Sequence, residues 1–305
     1  MIARGRRSGI ALGLVVALFV LGPAQPPHGW RLWTHQDLPL MLTVDGGPAD
    51  AAAVLRRVAG ILHVDLGLPL PARIAARVYD GPARFEQGLV RYASVPAAYA
   101  AELARFAIGA TTPGALFLVA PARATAPSIE WPRLIAHELT HLAQIELAGG
   151  ETGQAQWLAE GMAEWVAYRV LERLDLDDFE SRRALARTAA VEYVGRAGGL
   201  DLDGLATPAG FLAQHRRLGT LVTYRLVLHL ADELVTQHGF ASLVGYFRAF
   251  RLSPDPAGNF AASFGGSLDA FARTAQARLE TDRLGAVPGE RQQPGVVPAG
   301  KGTSL

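Results

Sequence analysis

From Trp30 onward the spacing of apolar residues changes period several times, and those changes divide the chain into elements. Leu38 to Val44 alternates apolar and polar positions as a half-buried strand does, and Asp45-Gly46-Gly47 supplies a turn after it. Over Pro48 to Leu66 the period becomes helical, with Val54, Leu55, Val58, Ile61 and Leu62 on one stripe; Pro69 and Pro71 prevent its continuation. Arg73 to Tyr79 alternates again, with Ile74, Ala76 and Val78 sharing a face. Gly81-Pro82 opens a predicted helix over Ala83 to Val90. The stretch from Ala93 to Thr112 has no period that decides between helix and strand, and Ala115 to Val119 is a short apolar strand.

Beyond this point the pattern is helical. Ser128 is a candidate cap for a helix carrying Pro132 in its first turn and ending at Gly149-Gly150; Leu134, Ile135, Leu139, Leu142 and Ile145 form its apolar face. A polar connector leads to a second helix from about Gln156 to Leu174, with Trp157, Met162, Trp165, Val166 and Leu171 as core candidates. Gly161 sits inside it at a cost of about 1 kcal/mol relative to alanine, and close approach of another helix is one reason to tolerate it. Further helices are predicted over Asp178 to Gly195, Gly219 to His238, Ala241 to Leu252 and Ser267 to Asp282. Gly198-Gly199 and Thr207-Pro208 read as breaks, and a Pro/Gly/Asn/Ser stretch after Leu252 reads as a loop. The pattern predicts an α+β protein: a small N-terminal sheet with helices over 30–174, a mostly helical part over 175–284, and a disordered Pro/Gly/Gln-rich tail over 285–305.

Composition adds an address and removes some chemistry. Arg4, Arg6 and Arg7 precede an apolar run from Ile10 to Leu21, and Gly22-Pro23-Ala24 offers small residues for cleavage, so 1–24 reads as an export signal. The run falls short of the roughly 20 residues of a membrane span, which favours a cleaved signal over an uncleaved anchor holding the protein at a membrane. Either way the globular part is expected outside the cytoplasm. A formal charge of +1 without an internal basic block gives no electrostatic case for nucleic-acid binding. The absence of cysteine excludes disulfides, thiolate ligands and a cysteine nucleophile, so a bound metal must be held by histidine and carboxylate.

That chemistry is concentrated in His137-Glu138-Leu139-Thr140-His141. Residues four apart share a helix face, so His137 and His141 can aim two imidazole nitrogens at one point with Glu138 beside them, the H-E-x-x-H arrangement of zinc hydrolases. A catalytic zinc needs a third protein ligand and an open position. Glu160, in Trp157-Leu158-Ala159-Glu160-Gly161, follows after enough chain to finish one helix and start another against it. The two segments together, H-E-L-T-H and W-L-x-E-G-x-A-E, resemble the gluzincin zinc metallopeptidases. They are thermolysin-like and look closest to the peptidase MA-like group, over Ser128 to about Leu174.

The resemblance implies a zincin-type catalytic core and one zinc ion held by His137, His141 and Glu160. It implies Glu138 as the general acid/base of peptide-bond hydrolysis and a peptide or protein as substrate. Glu164, one turn after Glu160, stands where thermolysin-like enzymes carry an acidic residue, and can take the second N–H of His137 or His141. In related enzymes a downstream tyrosine or histidine stabilises the oxyanion; Tyr224 is the first candidate here and His215 a weaker rival. His229, on an apolar helix, reads as a packed residue. The last strand before the metal-binding helix, Leu116 to Val119, takes the place of the edge that pairs with substrate backbone in that family. No G-x-M-E-N segment precedes the helix, a departure from the aminopeptidases that tilts the expectation to an endopeptidase. The alternatives left open are a zinc-binding, non-catalytic module of the cell envelope and a zinc hydrolase of non-peptide amides.

Overall fold

Residues 13–15, 40–120, 129–150 and 153–285 are described by the structure, a computed structural model. The chain order is β1 (Gly13–Val15), β2 (Met41–Asp45), α1 (Ala51–Gly60), β3 (Arg73–Tyr79), α2 (Pro82–Ala93), α3 (Ala97–Leu103), β4 (Gly109–Thr112), β5 (Ala115–Val119), α4 (Glu130–Ala148), α5 (Gln156–Arg173), α6 (Phe179–Ala197), α7 (Pro208–Leu218), α8 (Thr220–His238), α9 (Phe240–Ala249), α10 (Pro256–Phe264) and α11 (Leu268–Gly285). It is an α+β fold with one small sheet and a majority of helix. A π-helical turn, Ile61–Asp65, extends α1 and accounts for the long apolar stripe read there.

The sheet is mixed, in the order β1-β4-β5-β3-β2. β2, β3 and β5 run parallel to one another, while β4 is antiparallel to β5 and β1 antiparallel to β4. Along β3 the alternation read from sequence is realised, with Ile74, Ala76 and Val78 buried and the residues between them less so. β5 corrects one expectation. It is an interior strand bonded to β3 on one side and β4 on the other, so it offers no free edge to a peptide. Its continuous apolar run, Leu116-Phe117-Leu118, is what burial on both faces selects. The undecided stretch after Ala93 resolves into α3 and β4.

α4 lies against β4, β5 and α1, and α5 packs between α4 and α8. Pro132 occupies the first turn of α4, where a missing N–H is harmless. Ile129 precedes the helix without a side-chain cap, and Ser128 lies outside the described residues. At the other end Gly149 takes the left-handed conformation, φ 76°, and the Gly149 and Gly150 amides donate to the Glu146 and Ile145 carbonyls. This Schellman arrangement stops the helix sharply. Gly161 lets α8 approach: a β-carbon there would lie 2.5 Å from the Val227 carbonyl oxygen and 3.0 Å from Ala231 Cβ.

Two prolines read as breaks are helix starts. Pro208 and Pro256 stand at the first positions of α7 and α10, behind Thr207 and Asp255, whose side chains accept from the Gly210 and Ala257 amides. The stretch after Leu252 therefore holds a helix where a loop was expected. Asp178 caps α6 in the same way. Helix α11 runs on to Gly285, the first residue assigned to the tail, and 286–305 lie outside the described residues, as does the export segment apart from Gly13–Val15. Among the described residues no helix is long and apolar enough to cross a membrane. One apolar core runs from α1 and the sheet through α4, α5 and α8 to α11.

The tightness at Gly161 gives a test. Gly161→Ala is expected to lower stability by about 1–3 kcal/mol through overpacking against the Val227 carbonyl, despite the gain in helix propensity of about 1 kcal/mol. The denaturant midpoint measures it, and an unchanged or raised midpoint contradicts the close approach.

Candidate functional site

Helices α4 and α5 bring His137, His141 and Glu160 together. One nitrogen from each histidine and one carboxylate oxygen lie within 4.8 Å of one another. His137 Nε2 is 3.1 Å from His141 Nε2 and 3.2 Å from Glu160 Oε2, and His141 Nε2 is 3.7 Å from the same oxygen. The first two are one turn apart on α4, and the third comes from the first turn and a half of α5. Glu138 and Glu160 are 0 % exposed, His137 2 % and His141 6 %.

The outward partners of these side chains decide what faces inward. His141 Nδ1 lies 2.8 Å from Gln144 Oε1, and the Gln144 amide nitrogen donates to the Ala159 carbonyl at 2.8 Å. A carbonyl can only accept, so this amide has one orientation, and His141 Nδ1 must carry the proton. His137 Nδ1 likewise lies 2.8 Å from Glu164 Oε1, which also receives a hydrogen bond from Arg133 Nη1 at 2.7 Å. Glu160 Oε1 accepts from Gln156 Nε2 at 2.6 Å. With both Nδ1 atoms acting as donors, the lone pairs of the two Nε2 atoms and of Glu160 Oε2 converge on one buried point. Three acceptors repel one another unless a cation sits among them. The donor set therefore fits a metal ion, and two imidazoles with a carboxylate suit a divalent cation of borderline softness.

In the metal-free protein a proton takes the cation's part. Burial opposes a charge on His137, but hydrogen bonds to the Glu160 and Glu164 carboxylates outweigh it and raise its pKa to about 9. Burial alone would raise Glu160, yet the two histidines bring it down to about 2. Glu164 is held below the usual carboxylate range, against its own burial, mainly by the Arg133 guanidinium.

Glu138 reaches from α4 to β4. The Thr111 hydroxyl donates to its Oε2 at 2.6 Å, while Oε1 is buried with no protein partner. A β-carbon on Gly109 would lie 2.1 Å from that Oε1, so the glycine makes the space the carboxylate fills. Burial pushes the Glu138 pKa up, against the lowering pull of His141, His137 and Thr111. A buried carboxyl of raised pKa with one uncommitted oxygen is suited to exchanging a proton.

Tyr224, in the first turns of α8, is also brought to the site. It is buried, with its ring centroid 6.1 Å from that of His137 and edge contacts to Phe211 and His215. His215 is buried, its Nε2 is 2.8 Å from Thr220 Oγ1, and its Nδ1 has no protein partner. His229 lies apart, on α8 near Glu233, and burial lowers its pKa to about 4. Sequence reasoning missed Gly109, Thr111, Arg133, Gln144 and Gln156. Helical spacing from the ligands pointed to the last three, whereas nothing local marked the two on β4.

Two outcomes are expected. Gly109→Ala costs about 1–3 kcal/mol of stability in the wild type by displacing Glu138, and most of that cost disappears in a Glu138→Ala background; equal costs in both contradict the contact. In chelator, the folded His137 pKa of about 9 lies above its ordinary 6.5. Its stabilising contribution is then full below pH 6.5 and lost as pH rises through 9, a slope in the denaturant midpoint that His137→Ala abolishes. Compared with known protein families and with curated proteins, the chain matches no family model and no curated sequence.

Proposed function

We propose that the chain is an extracytoplasmic zinc-dependent peptidase of gluzincin type, with a zincin core formed by the sheet, α4 and α5. The observation that carries the reading is the convergence of three lone pairs, from His137, His141 and Glu160, beside a buried carboxyl with one uncommitted oxygen. Zinc, when bound, supplies Lewis acidity and a water acidified towards neutral pH.

The chain's own residues do the rest. Glu138 Oε1 takes the proton of the attacking water while Thr111 holds Oε2 still, and the same oxygen returns the proton to the leaving amine. Gln144, Glu164 and Gln156 keep the three ligands aimed, each through a hydrogen bond to the atom that does not face the centre. Tyr224 is the neutral donor for the oxyanion, on the His137 side of the site. The low exposure of all these groups keeps the field of each strong during proton transfer.

The substrate edge moves from β5 to β4, the antiparallel strand that carries Gly109 and Thr111. In the full chain its outer side pairs with Gly13–Val15, which falls within the predicted export signal. Cleavage of that signal frees the β4 backbone to take an extended peptide, the mode in which main-chain hydrogen bonds provide affinity.

The test compares the wild type with Glu138→Gln and His137→Ala, by metal analysis and by cleavage of a peptide library. Glu138→Gln is expected to keep stoichiometric zinc and lose activity roughly 10²–10⁴-fold. His137→Ala is expected to lose the metal. Zinc binding without cleavage by the wild type supports a binding module instead, and cleavage confined to non-peptide amides moves the substrate class.

A further inference from the structure

We propose that Arg133 is a positioning residue of the metal centre: acting through Glu164, it fixes His137 in the orientation that presents Nε2 to the cation. The inference rests on the metal reading above and extends it one residue outward.

Arg133 lies one turn before His137 on α4 and on the same face. It is buried, an unusual place for a guanidinium, and two of its donors are committed to carboxylates. Nε donates to Glu130 Oε2 at 2.9 Å and Nη1 to Glu164 Oε1 at 2.7 Å, while the guanidinium carbon lies 5.9 Å from the Tyr168 ring centre. Glu164 Oε1 thus meets two groups, Arg133 Nη1 at 2.7 Å and His137 Nδ1 at 2.8 Å.

That shared oxygen is the joint of the device. Arginine has donors only, so the oxygen facing it must accept, and an oxygen already accepting from Arg133 presents His137 with an acceptor too. Nδ1 is thereby made the donor and Nε2 is left with its lone pair towards Glu160 and His141. The fork also fixes where Oε1 sits. Glu130, on the same helix, holds one prong and Glu164, on the next helix, the other, so the planar group sets the Glu164 carboxylate relative to α4 itself. A lysine carries the charge but has no planar fork with which to span both carboxylates.

A staple between helices would share these contacts without acting on the metal, and a double-mutant cycle separates the two. Zinc dissociation constants are measured on the full chain by chelator competition for the wild type, Arg133→Met, Glu164→Ala and the double variant. Arg133→Met is expected to weaken zinc about 10–100-fold, as loss of a ligand's outer partner does. The double variant is expected to bind no more weakly than Glu164→Ala alone. Arg133→Lys should fall between Arg133→Met and the wild type, and it serves in place of Arg133→Met if that variant does not fold. In the metal-free protein above pH 9, where the His137 ring is neutral, its nitrogen chemical shifts should show a proton fixed on Nδ1 in the wild type and shared between Nδ1 and Nε2 in Arg133→Met. Unchanged zinc affinity in Arg133→Met, or losses in Arg133→Met and Glu164→Ala that multiply, overturns the proposal while leaving the centre intact. A wild type that takes up no zinc overturns the centre itself, and the role of Arg133 with it.

Discussion

Three lone pairs directed at one another inside a buried helix interface are the constraint around which the other features of this fold arrange themselves. With neither a cation nor a shared proton among them such a cluster is unfavourable, since buried acceptors would face one another without a donor. The protein holds it by fastening the far side of every ligand. Glu164 fastens His137, Gln144 fastens His141 and Gln156 fastens one oxygen of Glu160. These contacts cross between α4 and α5 or run along them, so the same bonds that aim the ligands join the two helices. Gly161, beside Glu160, extends the arrangement outward by letting α8 press directly onto the back of α5.

The sheet contributes less by its bulk than by one short strand. β4 brings a glycine and a threonine two residues apart to the same carboxyl, one making room for it and the other binding it. Alternation along a strand puts such residues on one face. Glu138 is therefore held from the sheet side while its two histidine neighbours are held from the helix side. Its position between two layers follows from its place in the helix, next to a ligand but rotated about 100° from it by the helical repeat.

How much of this was legible in the sequence depended on whether a contact is local. His137, Glu138 and His141 are fixed by spacing within one helix, and Glu160 and Glu164 by spacing within the next, so the motif carries them. Arg133, Gln144 and Gln156 obey the same rule, one turn from a ligand, and could have been named by asking which side chains can reach an Nδ1 or a second carboxylate oxygen. Gly109 and Thr111 could not. They lie in a stretch with no clear period, and their meaning comes from tertiary pairing that brings β4 beside α4. The interior place of β5 was hidden for the same reason: an apolar pentapeptide says that both faces are covered, not which strands lie beside it. Pro208 and Pro256 were misread because proline ends one helix and begins another with equal ease, and only the capping Thr207 and Asp255 distinguish the cases.

The coverage of the ligands has a consequence for time as well as for energy. On the proposed reading, a metal ion would be held by one side chain wholly hidden from solvent, Glu160, and two nearly so, His137 and His141. Its departure would require these ligands to part, which is slow for side chains packed between helices deep in the core. Residence at such a centre would be governed by breathing of the helix pair more than by the lability of the coordination bonds, and exchange with competing ions outside would be slow even where they bind more strongly.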